Sequence, residues 1–169
     1  MLEMRSVLGD TKPVSHHGMT MMEAAGFTLT QVAGEEKALK KALGKLPAAV
    51  GKMLELDDRQ LFRIGPKQFW VVGPQPVASE GVFVTPLSSS RARFLLQGAG
   101  ARRVLAACAL IDFEPSEFKP GQFVLTGIHH TPVMIHCVGA NSFHIYAMRT
   151  FAESVWEWLD DVMKGVISQ

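Results

Sequence analysis

Apolar and polar positions change period several times along the chain, and each change marks an element. Phe27-Thr-Leu-Thr-Gln-Val alternates, the period of a half-buried strand, and Gly34 ends the run. From Glu35 to Leu43 the spacing becomes helical: Ala38, Leu39, Ala42 and Leu43 share a face, with acids leading and lysines trailing as the helix dipole favours. Residues 60–64, a Gly65-Pro-Lys-Gln turn and Phe69-Trp-Val-Val predict a hairpin. Beyond the Pro-rich stretch at Gly73, strands are predicted at residues 82–85 and 91–97, the second alternating basic with apolar residues. Asp112 to Gly121 reads as a loop, and residues 123–127, 132–138 and 143–148 read as strands. Helices are predicted over 35–43, 100–109 and 151–164, the last with Val155, Trp158, Leu159 and Val162 as its apolar stripe. Residues 1–26 show no period and read as an N-terminal extension, wrapped over a surface or partly disordered.

The order strand, glycine, helix, hairpin occurs twice. Gly34 and Gly65 in the first half correspond to Gly98 and Gly139 in the second, at offsets of 64 and 74 residues, so an insertion from Asp112 to Gly127 lengthens the second copy. The expected fold class is therefore α+β, with duplicated strand–helix–hairpin units (about 27–73 and 82–164) in a single domain spanning 27–169.

Composition narrows the function by exclusion. With 169 residues, 47% of them apolar, the chain can bury roughly 70% of its unfolded surface and needs no metal or disulfide to fold. Lys plus Arg number 17 against 16 Asp plus Glu, a balance that argues against a nucleic-acid surface. No apolar run approaches the ~20 residues of a membrane span, and none near the N-terminus has signal-peptide length. Two cysteines, Cys108 and Cys137, make no disulfide framework and read as buried thiols of a cytoplasmic protein.

Few residues offer chemistry. His129, His130 and His136 are the first metal candidates, but adjacent histidines in a strand point to opposite faces and no carboxylate lies near, so a hydrogen-bonded, partly buried pair is the better reading and no metal is expected. His16 and His17 fall in the unpatterned segment. Neither cysteine has an activating base in its sequence neighbourhood. Gly98-Ala-Gly-Ala-Arg-Arg imitates a phosphate-binding turn but lacks the full dinucleotide or P-loop signature, and reads as a tight turn with exposed arginines. Ser88 to Arg93 is hydroxyl-rich and cationic; an oxyanion surface at Arg91 and Arg93 is one reading, an edge strand kept soluble by charge the better one. No catalytic constellation stands out.

Ser-Arg-Ala-Arg at 90–93, the run Gly98 to Cys108, Ile-Asp-Phe at 111–113 with Phe118 and Pro-Gly at 120–121, and the closing Met148-Arg-Thr-Phe-Ala-Glu-Ser-Val-Trp-Glu-Trp-Leu together resemble the gamma subunit of heterotetrameric sarcosine oxidase. The resemblance covers residues 88–163 and extends more loosely to about residue 27; Thr150 stands where that family usually has Ser, and the first half is short. It implies the folate-binding-domain fold of aminomethyltransferases, a duplicated α+β arrangement. It further implies a subunit without a redox cofactor, docked to larger subunits that carry FAD, FMN, NAD and tetrahydrofolate in a complex oxidising sarcosine or another N-methylated amino acid. The alternative it opens is an autonomous folate-binding protein of one-carbon metabolism, in which Asp112 would hold the pterin. Met19, Met21, Met22 and Trp156 are not absorbed by the stripes above and, with Arg149 to fix orientation, are expected to form an exposed docking patch.

Overall fold

The computed structural model describes residues 6–166. In chain order its elements are β1 (Val14–His16), β2 (Met19–Glu23), β3 (Leu29–Gly34), α1 (Glu36–Leu43), β4 (Met53–Glu55), β5 (Gln60–Gly65), β6 (Gln68–Val72), β7 (Val82–Pro86), β8 (Arg91–Gln97), α2 (Ala101–Cys108), β9 (Phe123–Ile128), β10 (Thr131–Gly139), β11 (Ser142–Met148) and α3 (Ala152–Gly165). The three helices fall where the periodicity places them, and every strand pairing is antiparallel, so the α+β class holds. The chain divides into two compact units rather than one domain with an extension: Gly26–Ser89, and Ser90 onward together with the residues up to Ala25.

In the smaller unit the sheet order is β4-β5-β6-β3-β7. α1 has Glu36 in its first turn and Lys40 and Lys41 in its last, and buries Leu39 and Leu43 against Val32, Leu61, Phe69, Val71 and Val82. Arg63 of β5 lies 5.4 Å from the Phe69 ring centroid and donates to the carbonyls of Pro47 at 3.1 Å and Pro66 at 2.9 Å. It thereby ties the loop after α1 to the hairpin.

The larger unit has the order β1-β2-β8-β11-β10-β9. Ala92, Phe94 and Leu96 of β8 lie opposite Ala147, Ile145 and Phe143 of β11 on the face that packs against α2 and α3. Read from β9, the path β9-β10-β11-β8-β2 matches β4-β5-β6-β3-β7: first strand, helix, three-stranded meander, and a further strand beside the first. The register breaks at matching places, between Arg63 and Gly65 and between Cys137 and Gly139. A Cβ on Gly34 would strike the Gly81 carbonyl, and one on Gly98 the Gly18 carbonyl, so in both units the first strand passes its neighbour at a separation only glycine allows.

Two expectations change. Residues 14–23 are strands of the larger sheet, not an extension: Met21 pairs with Leu96 of β8, and the side chains of Met19 and Met21 fill the core. His16 and His17 anchor this hairpin to α3, His16 through Asp160 at 2.7 Å and His17 through the Lys164 carbonyl at 3.1 Å. Because β2 covers it, β8 is an interior strand and not a charged edge. On α3 the buried stripe is Ala152, Val155, Trp156, Leu159 and Met163, so Trp156 faces the core and Trp158 is 38% exposed, the reverse of the expected assignment.

Candidate functional site

The face of the six-stranded sheet turned away from α2 and α3 carries the densest polar constellation among the described residues. Strand alternation puts Arg93, His136, His144 and Tyr146 there, opposite the core side chains on either side of each. The pairing sets Arg93 beside Tyr146 and His136 beside His144. The Arg93 guanidinium lies 5.9 Å from the Tyr146 ring centroid, and the His136–His144 and His144–Tyr146 rings are each 6.3 Å apart. Burial, reinforced by the charge of Arg93, pushes both imidazoles down to about 4, and burial raises the Tyr146 hydroxyl. Two neutral imidazoles, a neutral phenol and one fixed cation result. Such weakly basic imidazoles are poor general bases at neutral pH, although they can accept hydrogen bonds. Among the described residues no group of three or more His, Cys, Asp or Glu side chains is placed to hold a metal ion.

His129 and His130 lie elsewhere. They are not strand residues but the two-residue loop of the β9–β10 hairpin, both at positive φ, 44° and 65°. That conformation matches the twist of a hairpin and is usually taken by Asn-Gly. Both are exposed, which corrects the expectation of a partly buried pair, and the His129 ring stacks on Trp158 with centroids 4.0 Å apart. With Cys108, Leu110 and Thr126 they line a shallow cleft of about 410 Å3. Burial pushes the Cys108 thiol up to about 11 despite a hydrogen bond with Trp158, and burial also raises Cys137, so both stay protonated at neutral pH.

The glycine turn at α2 is closed to phosphate. The Met19 side chain packs against Gly100 so closely that its sulfur would sit 2.5 Å from a Cβ there. Arg102 is not exposed as expected but buried. Its Nε donates to the Ala140 carbonyl at 2.8 Å, and Nη1 donates to those of Phe113 at 2.6 Å and Phe118 at 2.9 Å. The guanidinium also lies 5.2 Å from the Phe143 ring centroid. Only Arg103 points to solvent. The Ser88 hydroxyl is spent on Leu29, accepting from its N–H at 2.9 Å, and Arg91 donates to the Ser90 carbonyl and hydroxyl at 3.2 Å.

The remaining sequence candidates do not converge. Asp112 is exposed, its carboxylate accepts the Glu114 N–H at 2.9 Å in a local turn, and it lines none of the described clefts. Met19, Met21 and Trp156 are core residues, Trp156 edge-on to Phe94 at 5.4 Å, so the expected exposed patch does not form; Met22 and Arg149 are half-buried. In the smaller unit, a separate cleft of about 910 Å3 lies between α1 and the Pro-rich strap at 75–80.

Comparison with known proteins adds to this geometry. Residues 77–164, over half of the chain, match the sequence model described as the sarcosine oxidase, gamma subunit family. The chain is 29% identical over 138 residues to sarcosine oxidase subunit gamma of Corynebacterium sp. (strain U-96), covering 75% of this chain and 67% of that one. Its likeness to the Arthrobacter sp. protein of the same name is 27% over 138 residues, covering 75% and 68%. Among solved structures, it resembles a chain of the heterotetrameric sarcosine oxidase from Corynebacterium sp. U-96 in complex with pyrrole 2-carboxylate, with a TM-score of 0.81, 25% identity and coverage of 92% and 89%. The glycine cleavage system aminomethyltransferase T from Bartonella henselae shares the fold at a TM-score of 0.61 and 20% identity, over 85% of this chain and 46% of that one.

Proposed function

This chain belongs to the sarcosine oxidase, gamma subunit family, and from that premise we propose that it is a non-catalytic gamma-type subunit of a heterotetrameric oxidase acting on sarcosine or a related N-methylated amino acid. The observation that carries the reading is the heterotetrameric match, which spans 92% of this chain and 89% of its counterpart at a TM-score of 0.81. In this reading FAD, FMN, NAD and tetrahydrofolate belong to larger partner subunits in the cytoplasm. The chemistry at hand supports it: the buried imidazoles are neutral and too weakly basic, and the thiols too weakly acidic, to drive amine oxidation. The shared path of the two sheets supports descent of both units from one duplicated strand–helix–hairpin ancestor. Co-expression with the larger subunits, with and without this chain, is the test. The expected result is co-purification of this chain and loss of assembly or amine oxidation when it is omitted; full assembly and activity without it would overturn the reading.

A second reading, an autonomous folate-binding protein, draws on the aminomethyltransferase T likeness and the buried polar face of the larger sheet. Titration of the isolated chain with tetrahydrofolate separates the two, since stoichiometric binding supports the second reading alone.

A further inference from the structure

The α1 cleft of the smaller unit plays no part in the chemistry considered so far. One wall is α1, which presents Lys37, Ala38 and Lys41; the other is the strap, which presents Val77 and Glu80; Arg59 stands at the rim. The chain enters the strap through Gly73, where a Cβ would fall 2.6 Å from the Asp58 carbonyl oxygen and 2.9 Å from the Arg59 Cβ, and the far end of the strap is held by the Val82 N–H donating to the Ser79 carbonyl at 2.9 Å. The cleft is therefore built into the unit.

Its charges are unevenly matched. On α1, Glu36 pairs with Lys40 at 2.7 Å, and Glu35 pairs with Lys67. Arg59 is held by both oxygens of Asp58, at 2.9 and 2.6 Å. That leaves Lys37 and Lys41, one helical turn apart on the same wall, without an ion pair among the described residues, and a single unpaired acid, Glu80, on the strap. Between them the surface is apolar, with Val77 82% exposed.

We propose that this cleft seats an acidic segment of a larger partner subunit, with carboxylates on Lys37 and Lys41 and an apolar side chain against Ala38 and Val77. The inference rests on the subunit reading above. A segment suits the cleft better than a free small anion, because attraction to exposed lysines is screened by salt and one contact alone is weak, whereas a segment adds several contacts and an apolar anchor.

The test is affinity of the full chain for the larger subunits at low and high salt. Lys37→Glu with Lys41→Glu should weaken association roughly tenfold at low salt and flatten its salt dependence, with melting temperature retained. Lys45→Glu, an exposed lysine outside the cleft, should leave affinity unchanged. Glu80→Lys removes the one opposing charge and should tighten association several-fold, a gain that misfolding cannot mimic. If the wild-type chain assembles while the double variant and Glu80→Lys bind as wild type does, the cleft proposal is wrong and the subunit reading stands. If the wild-type chain does not assemble with those subunits, both fall.

Discussion

The two units solve one packing problem with different parts. Each follows strand, helix and meander, and each rests an arginine on the phenylalanine of the last meander strand, Phe69 in one and Phe143 in the other. In the smaller unit that arginine comes from the middle strand of the meander, as Arg63; in the larger it comes from the helix, as Arg102. Both guanidiniums collect carbonyls from the segment that follows the helix, Pro47 in one case and Phe113 and Phe118 in the other. The requirement is thus a cation over that ring, pinning the helix-to-strand loop, and its origin in the chain is free to vary. The quality of the solution differs. Arg102 uses Nε and Nη1 on three carbonyls, whereas Nε of Arg63 is buried without a hydrogen-bond partner. Arg63 also reaches Glu36 at 3.7 Å, a contact half open to water.

That contrast can be broken most sharply at Arg102. Arg102→Met strands the buried carbonyls of Phe113 and Phe118 and the part-buried one of Ala140, and should cost about 3–5 kcal/mol, read as a fall in the urea midpoint at unchanged slope. Acid is the next lever, and its histidine component acts on the larger unit only, because all six histidines lie outside residues 26–89. The folded-state affinity of His136 for a proton is depressed to about 4 from 6.5, so below pH 6.5 the unfolded chain takes up the proton first. Stability present above pH 6.5 is lost on the way down to about pH 4, up to about 3 kcal/mol for this residue, and His144 shifts in the same direction. Urea midpoints at pH 7 and pH 4.5 check this, and His136→Gln should flatten the slope. Arg63→Met should cost less than its counterpart, about 1–2 kcal/mol, since its carbonyl partners lie near water. The smallest effect is expected at the hairpin anchor: His16→Ala removes a partly exposed contact to Asp160 and should cost about 0.5–1 kcal/mol, read in the urea midpoint. Burial raises the Asp160 carboxyl, but hydrogen bonds from Lys164 and His16 outweigh it and hold the group below its usual range.

Sequence patterning carries the elements whose burial is one-sided. Leu39 and Leu43 on α1, or Phe94 and Leu96 on β8, announce their faces because polar residues stand between them. β2 is harder to see: Met19-Thr-Met21-Met22-Glu23 does alternate, but Met22 blurs the period, and the partner that makes it a strand lies 71 to 77 residues away at β8. Trp156 lies three residues from Leu159 and Trp158 three residues from Val155, so each has one helical-spacing partner; only Ala152 and Met163, at the ends of the true stripe, separate the two choices. The burial of Arg102 has no sequence signal at all, since its partners are backbone carbonyls and any residue type supplies those. The polar face of the larger sheet is hidden in the sequence for a related reason. Arg93, His136, His144 and Tyr146 lie on three strands, and only the register brings them together.

The place of β2 beside β8 also dictates an order of events during synthesis. The larger unit is discontinuous in the chain, and the smaller one, Gly26–Ser89, is threaded between its two parts. As the protein emerges, β1 and β2 appear before the other strands of their sheet; the smaller unit is complete in sequence before β8 exists. The β1–β2 hairpin must therefore wait without its β8 partner, bearing Met19 and Met21, while a whole unit folds behind it, and it closes the larger sheet only at long range. Slow, late docking of the N-terminal hairpin is the folding signature this topology imposes.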